Sequence, residues 1–314
     1  MASATLLLPA RDRFGAQRLT AGVAKVLGRA DRAEDKSAMA GGGQHARVFD
    51  ILPRGWPVAA VTRQRDAGDA ALSAWLRADP AYVQPDINGA RLLAYGNALA
   101  LTPEECGELL RPLRPLFGDT GFVIDAPTPS RWYLRLPRDA RLPTFAGPDE
   151  ALGADLFEHL PEGPEGRRWR ALLSEAQVIL HNHPVNGRRA AAGKQPVNSL
   201  WFWGASVLPD HVTTACTGVF SDDDAMQAFA AMAGAAAMPL PLRWGMAGGD
   251  RVFDLRHVRD LALLQSDWIE PLLRDLATGE IATASLVFAD GTRFAVRGSQ
   301  RWRFWRRPLR SIAA

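Results

Sequence analysis

Short apolar runs of strand length alternate with stretches of helical period along the whole chain, which restricts the fold to the mixed classes, α/β or α+β. Thr5-Leu6-Leu7-Leu8, closed by Pro9, predicts a buried strand. Leu19, Val23, Val26 and Leu27 share one face of a helix and predict the element that follows. Residues 31–45, with Gly41-Gly42-Gly43 and no apolar period, read as a surface loop. Residues 70–78 read as a helix, and Tyr82-Val83 and Leu92-Leu93-Ala94-Tyr95 as short strands. Thr102-Pro103-Glu104-Glu105 is a helix start: a capping threonine, a proline in the first turn, and two acids at the positive end of the dipole. Pro112 and Pro115 predict that this helix stops or kinks soon after Leu110. Strands are expected at 122–124 and 132–136, a helix at 168–180, and strands at 200–203 and 217–220. Ser221-Asp222-Asp223-Asp224 predicts a cap for a helix through Met226 and Phe229, with helical stretches again before Leu263 and after Asp267. Asp290-Gly291 predicts a closing hairpin, because the pair supplies the positive φ of a tight turn.

A chain of 314 residues, 47% hydrophobic, can bury one large core or two ordinary ones. The net charge of +3 is carried almost wholly by arginine, since Lys25, Lys36 and Lys194 are the only lysines, and a charge this small does not imply nucleic acid. The Ala, Gly, Arg and Pro bias matches the coding bias of a GC-rich bacterial genome. Cys106 and Cys216 stand far apart without a CxxC pair, so neither a disulfide framework nor a structural zinc site is expected. The apolar run at 4–9 is too short for a signal-peptide core, and no apolar stretch reaches the ~20 residues a bilayer requires. The expectation is a soluble cytoplasmic protein with no membrane partner.

The densest polar chemistry lies between two apolar segments, in His181-Asn182-His183-Pro184-Val185-Asn186-Gly187-Arg188-Arg189 and Gly193-Lys194-Gln195-Pro196-Val197-Asn198. His183, Asn186, Arg188, Arg189, Lys194 and Asn198 have the composition of an anion-binding lip for a phosphate or carboxylate. The alternative is that His183-Pro184 and the asparagines shape turns while the arginines are solvated. A metal at His181 and His183 is disfavoured, because no Cys, Asp or Glu stands close by in sequence to complete a ligand set. Trp201 and Trp203 read as core. Arg301-Trp302-Arg303-Phe304-Trp305-Arg306-Arg307 mixes cations and aromatics as single-strand binders do. The favoured reading there is a packed edge, with Trp302 and Phe304 inward and the arginines wet.

The order of Leu101-Thr102-Pro103-Glu104-Glu105, Arg131-Trp132-Tyr133-Leu134, Leu160-Pro161-Glu162-Gly163, His183-Pro184-Val185-Asn186, Gly193-Lys194-Gln195-Pro196-Val197-Asn198 and Trp201-Phe202-Trp203-Gly204 resembles the inserted domain of the archaeal-type, cofactor-independent phosphoglycerate mutases. The whole chain, including Phe304-Trp305-Arg306-Arg307-Pro308, also resembles the bacterial regulators of pathogenicity factors, E type. The resemblance implies mixed sheets with flanking helices. It places a mutase-insert-like domain at 97–248, a reduced alkaline-phosphatase-like remnant at 1–96, and a C-terminal segment, 249–314, packing with that remnant. In the mutases a serine nucleophile and two divalent metals transfer the phosphoryl group. Here Ala10-Arg11-Asp12-Arg13 replaces the Asp-Gly after the first strand, leaving Asp12 as a displaced candidate, and His257-Val258-Arg259-Asp260 does not match the late metal signature. The implied protein has no catalytic residues and no cofactor, and binds a small phosphorylated metabolite or a protein partner in a regulatory role. The alternative is an active mutase or phosphotransferase using manganese or magnesium.

Overall fold

The computed structural model describes residues 2–34, 43–87, 89–245 and 248–313. In chain order the first segment gives β1 (Ser3–Leu8), α1 (Ala21–Arg29), β2 (Asp31–Glu34) and β3 (Asp50–Leu52). The next gives α2 (Val58–Ala67), β4 (Ala74–Asp86), β5 (Gly89–Tyr95), α3 (Pro103–Asp119), β6 (Val123–Thr128), β7 (Arg131–Leu136), α4 (Pro148–Ala151), α5 (Gly163–His181), α6 (Pro184–Ala191) and β8 (Ser199–Val207). The last gives β9 (His211–Thr213), β10 (Gly218–Phe220), α7 (Asp224–Met232), β11 (Ala236–Met238), β12 (Asp250–Asp254), α8 (Leu261–Leu264), α9 (Glu270–Thr278), β13 (Thr283–Phe288) and β14 (Thr292–Arg297). The class is α/β.

Two compact units form, one from residues 1–56 and 210–314 and the other from 57–209. These boundaries differ from the expected divisions after residues 96 and 248. Strand pairing is the reason: β4 and β5 belong to the sheet of the inserted unit, whereas β10 and β12 lie in the sheet that contains β1.

In the split unit seven strands run in the order β11-β10-β12-β1-β13-β14-β2. The first five are mutually parallel, β14 runs antiparallel to β13, and β2 in turn antiparallel to β14. Leu6, Leu7 and Leu8 are fully buried, as a central parallel strand covered on both faces requires. One core joins Leu6, Leu8, Phe253 and Leu286 of the sheet to Val23 and Leu27 of α1 and to Leu264, Trp268 and Leu272 of the α8–α9 region. α8 and α9 are linked through a π turn at Gln265–Ile269, so the two helices expected there run as one. The hairpin turns at Gly291, φ 85°, as Asp-Gly predicts.

Three expectations are corrected. Within 31–45, residues Asp31–Glu34 form an edge strand against β14 and Gly43–Arg47 a 3-10 turn; residues 35–42 of that expected loop lie outside the described residues. The helix expected at 70–78 is instead a 3-10 turn at Ala70–Leu72 followed by β4, whose first half pairs with β7 and β8 and whose second half pairs with β5. Pairing on both edges overrides the helix propensity of its alanines and leucine. α3 runs on to Asp119 with Pro112 and Pro115 inside it. Leu109, Leu110, Leu113 and Phe117 are buried along one stripe, while Arg111 and Pro115 face water, which can satisfy the carbonyls the prolines leave unbonded.

The inserted unit packs α3 and α5 on one face of its sheet, against Leu76, Trp132, Leu134 and Phe202. The other face carries charges beneath α2. Asp79, fully buried, accepts from Arg77 Nε and Nη2 (2.9 and 2.8 Å), from Trp203 Nε1 (2.7 Å) and from the Trp132 amide (3.3 Å).

The chain after β14 folds back on α1, where the Leu309 amide donates to the Ala24 carbonyl and Ile312 is fully buried. Gly28 of α1 meets the Arg307 carbonyl so closely that a Cβ would not fit. The packed-edge expectation for this tail is corrected for its rings, while Arg301, Arg306 and Arg307 are exposed as expected. Trp302, Phe304 and Trp305 are 67%, 78% and 68% exposed. Arg303, half-buried, donates to the Asp31 carboxylate and the Arg29 carbonyl, and Arg306, itself exposed, donates to the Ala30 carbonyl. The segment starts as a 3-10 turn, Gly298–Trp302, so strand alternation does not apply to it.

Candidate functional site

The polar cluster that dominates the sequence folds into the end of α5, the short helix α6 and the loop to β8. His183 is the N-cap of α6, its Nδ1 accepting from the Val185 amide at 3.3 Å, with Pro184 in the first turn. Asn186 is buried: its Nδ2 donates to the Leu180 and Val197 carbonyls and its Oδ1 accepts from the Val197 amide. Arg189, 1% exposed, donates to the Gln195 carbonyl, to Glu105 and to the Leu99 carbonyl (2.8, 2.8 and 2.6 Å). Asn198, half-buried, holds the Val83 amide and carbonyl at the irregularity in β4. Arg188 pairs with Glu108 at the surface, and Lys194 is exposed. Buried main-chain polar groups must find partners, and Asn186, Arg189 and Asn198 supply them. The other three of the six residues, His183, Arg188 and Lys194, reach solvent.

A second constellation stands at the carboxyl edge of the parallel strands in the split unit. In open sheets of this kind, ligand sites form where successive connections leave in opposite directions. β10 leads outward to β11, while β12 leads past β1 to β13, so this point lies between β10 and β12. Ser221 directly follows β10, Asp254 ends β12, Asp223 caps α7, and Arg256 lies two residues beyond Asp254. The Ser221 hydroxyl donates to Asp254 Oδ2 at 2.7 Å and is fully buried. Arg256 donates through Nε to Asp254 Oδ1 (2.7 Å) and through Nη2 to Asp254 Oδ2 (2.7 Å) and Asp223 Oδ2 (2.9 Å). Its Nη1 lies 3.4 Å from His45 Nε2.

The electrostatics follow from this packing. Burial alone would raise the Asp254 pKa, but hydrogen bonds from Arg256 and Ser221 and the guanidinium charge carry it below the ordinary carboxylate value. Burial, reinforced by the Arg256 charge and opposed by Asp223 and Asp254, pushes His45 down from 6.5 to about 4, so the ring is neutral at physiological pH. The imidazole stacks on Trp56 (centroids 4.0 Å apart), Trp56 stacks on Phe229 (3.8 Å), and His45 Nδ1 sits 3.2 Å from Met226 Sδ. The neighbouring Gln44 is buried and donates to the carbonyls of Leu8 and Val287, at the ends of β1 and β13. Asp12 is exposed in the turn after β1.

Sequence reasoning missed this constellation because its members come from residues 44–45, 221–223 and 254–256. The signal present was Asp254-Leu255-Arg256 at a strand end, opposite an expected strand running into Ser221. The run Ser221-Asp222-Asp223-Asp224 reads as a helix cap, and Asp223 does cap α7 through Oδ1; its other oxygen holds Arg256.

The fold and this edge define an α/β protein with a carboxylate–arginine cluster at the switch point of a parallel sheet. No protein-family model matches the chain. Part of it is similar to phosphoglycerate mutases: 39% identity over 66 residues to a probable 2,3-bisphosphoglycerate-independent phosphoglycerate mutase of Geobacter sulfurreducens, covering 21% of this chain and 16% of that protein. It is 40% identical over 62 residues to the 2,3-bisphosphoglycerate-independent enzyme of Methanosarcina barkeri, covering 20% and 16%. The matched stretches thus span about a sixth of these relatives, and over them the chain is phosphoglycerate-mutase-like. Among solved structures, the cofactor-independent phosphoglycerate mutase of Thermoplasma acidophilum aligns over 94% of this chain and 89% of its own, with 15% identity and a TM-score of 0.35. A Pyrococcus horikoshii protein aligns over 99% and 91%, with 11% identity and a TM-score of 0.47.

A two-metal phosphoryl-transfer site requires clusters of anionic and imidazole ligands converging on each ion. Among the described residues no group of three or more His, Cys, Asp or Glu side chains is placed to hold a metal ion. At the carboxyl edge the carboxylates already have a cation, the guanidinium of Arg256. The donor set does not fit such a clamp.

Proposed function

We propose that this chain is a mutase-like protein without phosphoryl-transfer activity that works by binding a small phosphorylated metabolite or a protein partner in a regulatory role. The observation that carries the reading is Arg256: it satisfies Asp254 and Asp223 at the switch point of the parallel sheet. An arginine cannot lose its proton or exchange its ligands as a metal ion does, so it fixes the carboxylates without offering an open coordination position. Ser221 is buried with its proton held by Asp254, which leaves no hydroxyl presented to a substrate. The resemblance to the pathogenicity-factor regulators supports the regulatory side of the reading, and a cytoplasmic setting agrees with it. For the anion, the groups that reach solvent are His183, Arg188 and Lys194.

The test is a coupled phosphoglycerate mutase assay on protein loaded with manganese or magnesium, together with metal analysis. The expected outcome is no turnover and substoichiometric metal; turnover abolished by a chelator would overturn the reading. Titration calorimetry with 3-phosphoglycerate, comparing native protein with Arg188→Ala and Lys194→Ala, tests the anion site. Equal affinity in all three removes it. The competing reading, an active metal-dependent mutase, is favoured by the 39–40% identity to proteins named as such enzymes, and the same assay decides it.

A further inference from the structure

We propose that the segment 298–310 is a docking surface for single-stranded nucleic acid. Two independent observations meet there. Residues 298–310 hold five arginines and neither aspartate nor glutamate, although the whole chain carries a formal charge of only +3. The same segment presents three aromatic rings to solvent, Trp302, Phe304 and Trp305, each at least two-thirds exposed.

The fold holds the rings outward rather than leaving them unplaced. Arg303 and Arg306 fasten the backbone to β2 and to the end of α1, and Arg29 Nη1 donates back to the Arg301 carbonyl at 2.8 Å. Arg301 lies over the Trp302 ring, 5.1 Å from its centroid, and the Phe304 and Trp305 rings meet edge to face at 5.4 Å. Arg301, Arg306, Arg307 and Arg310 are exposed, so cations flank the three rings along one short stretch.

Charge complementarity requires an anionic occupant, and the kind of apolar surface selects among anions. Leu309 of the segment and Ile312 just beyond it pack into the core with α1, so the large apolar groups turned outward are aromatic. Membrane-surface segments bury aliphatic as well as aromatic groups among the acyl chains. Bases offer flat π faces to rings while their phosphates meet arginines. The surface therefore fits a single strand better than a bilayer.

The experiment measures anisotropy of a labelled oligothymidylate and a labelled oligouridylate, each of about 20 nucleotides. Phosphatidylglycerol vesicles form a parallel arm. The proteins are the native chain, Trp302→Ala/Trp305→Ala, and Arg307→Ala/Arg310→Ala. These substitutions alter exposed side chains only, and matching melting curves confirm that each variant folds. Native protein is expected to bind an oligonucleotide at about 50 mM salt and to weaken several-fold by about 200 mM. The tryptophan variant is expected to lose about tenfold in affinity or more with its salt slope unchanged. The arginine variant is expected to show a shallower slope, by about 0.7 for each phosphate that it no longer neutralises. Absence of oligonucleotide binding at low salt, a tryptophan variant that binds like native protein, or binding to vesicles alone would each overturn the proposal. The mutase assay does not bear on it, so the two readings fail separately.

Discussion

The α6 region and the carboxyl-edge cluster both use arginines, but for opposite tasks. Arg189 joins two main-chain carbonyls and Glu105, and with Asn186 and Asn198 it closes the backbone around a helix break. Arg256 instead contacts two carboxylates and an imidazole. The first arrangement completes a fold, whereas the second neutralises charge that the fold has gathered at a strand edge. Density of polar residues in sequence does not by itself say which groups face outward: three of the six in the crowded stretch serve as internal scaffolding, while a second polar cluster gathers from sparse positions.

Removing each arginine tests that contrast. Arg189→Met removes the donor to the buried Leu99 carbonyl, to the Gln195 carbonyl and to Glu105, and is expected to cost about 3–5 kcal/mol in urea unfolding. A cost of under about 1 kcal/mol would mean that the region is not scaffolding. Arg256→Ala is expected to cost about 2–3 kcal/mol, because it strips charge-assisted bonds from a nearly buried carboxylate. It should also make the protein respond to divalent ions. Millimolar manganese is expected to raise the Tm of Arg256→Ala and leave native protein unchanged; identical responses would refute the view that the guanidinium stands in a cation's place.

Acidification probes the carboxyl-edge cluster more gently. His45 has a folded pKa of about 4 against an ordinary 6.5, so the unfolded chain binds the extra proton first as pH falls. Its contribution is fully present above pH 6.5 and is lost as pH falls toward 4, at most on the order of 1 kcal/mol per pH unit. Asp254, whose pKa is lowered, adds a further loss only below the ordinary carboxylate value of 3.8. His45→Gln is expected to flatten the upper window when Tm is followed against pH. The smallest effect belongs to the surface pair: Arg188→Ala is expected to cost a few tenths of a kcal/mol, because both it and Glu108 are well exposed.

Much of the fold was legible from local chemistry. β1, the capping box of α3, the Asp223 cap of α7 and the Asp-Gly hairpin were each specified by residues within one turn or one strand of each other. The misreadings fell where distant partners decide. β4 is a strand because β5, β7 and β8 pair with it, and α3 passes two prolines because its buried stripe continues beyond them. The unit boundaries were illegible for the same reason, since sheet membership is not a property of neighbouring residues. Of the expected site residues, the sequence identified polar groups correctly but could not tell which would face inward, because that depends on carbonyls of Leu99, Leu180 and Val83 brought from other elements.

Gly28 gives the tail a point of control remote from its rings. The Arg307 carbonyl rests where any other residue would place a side chain, so seating of the segment depends on the absence of one methyl group in α1. A single Gly28→Ala change favours the helix by about 1 kcal/mol through propensity while wedging the segment off its seat. The aromatic surface can therefore be uncoupled from the body of the protein by a substitution that leaves every arginine and every ring in place.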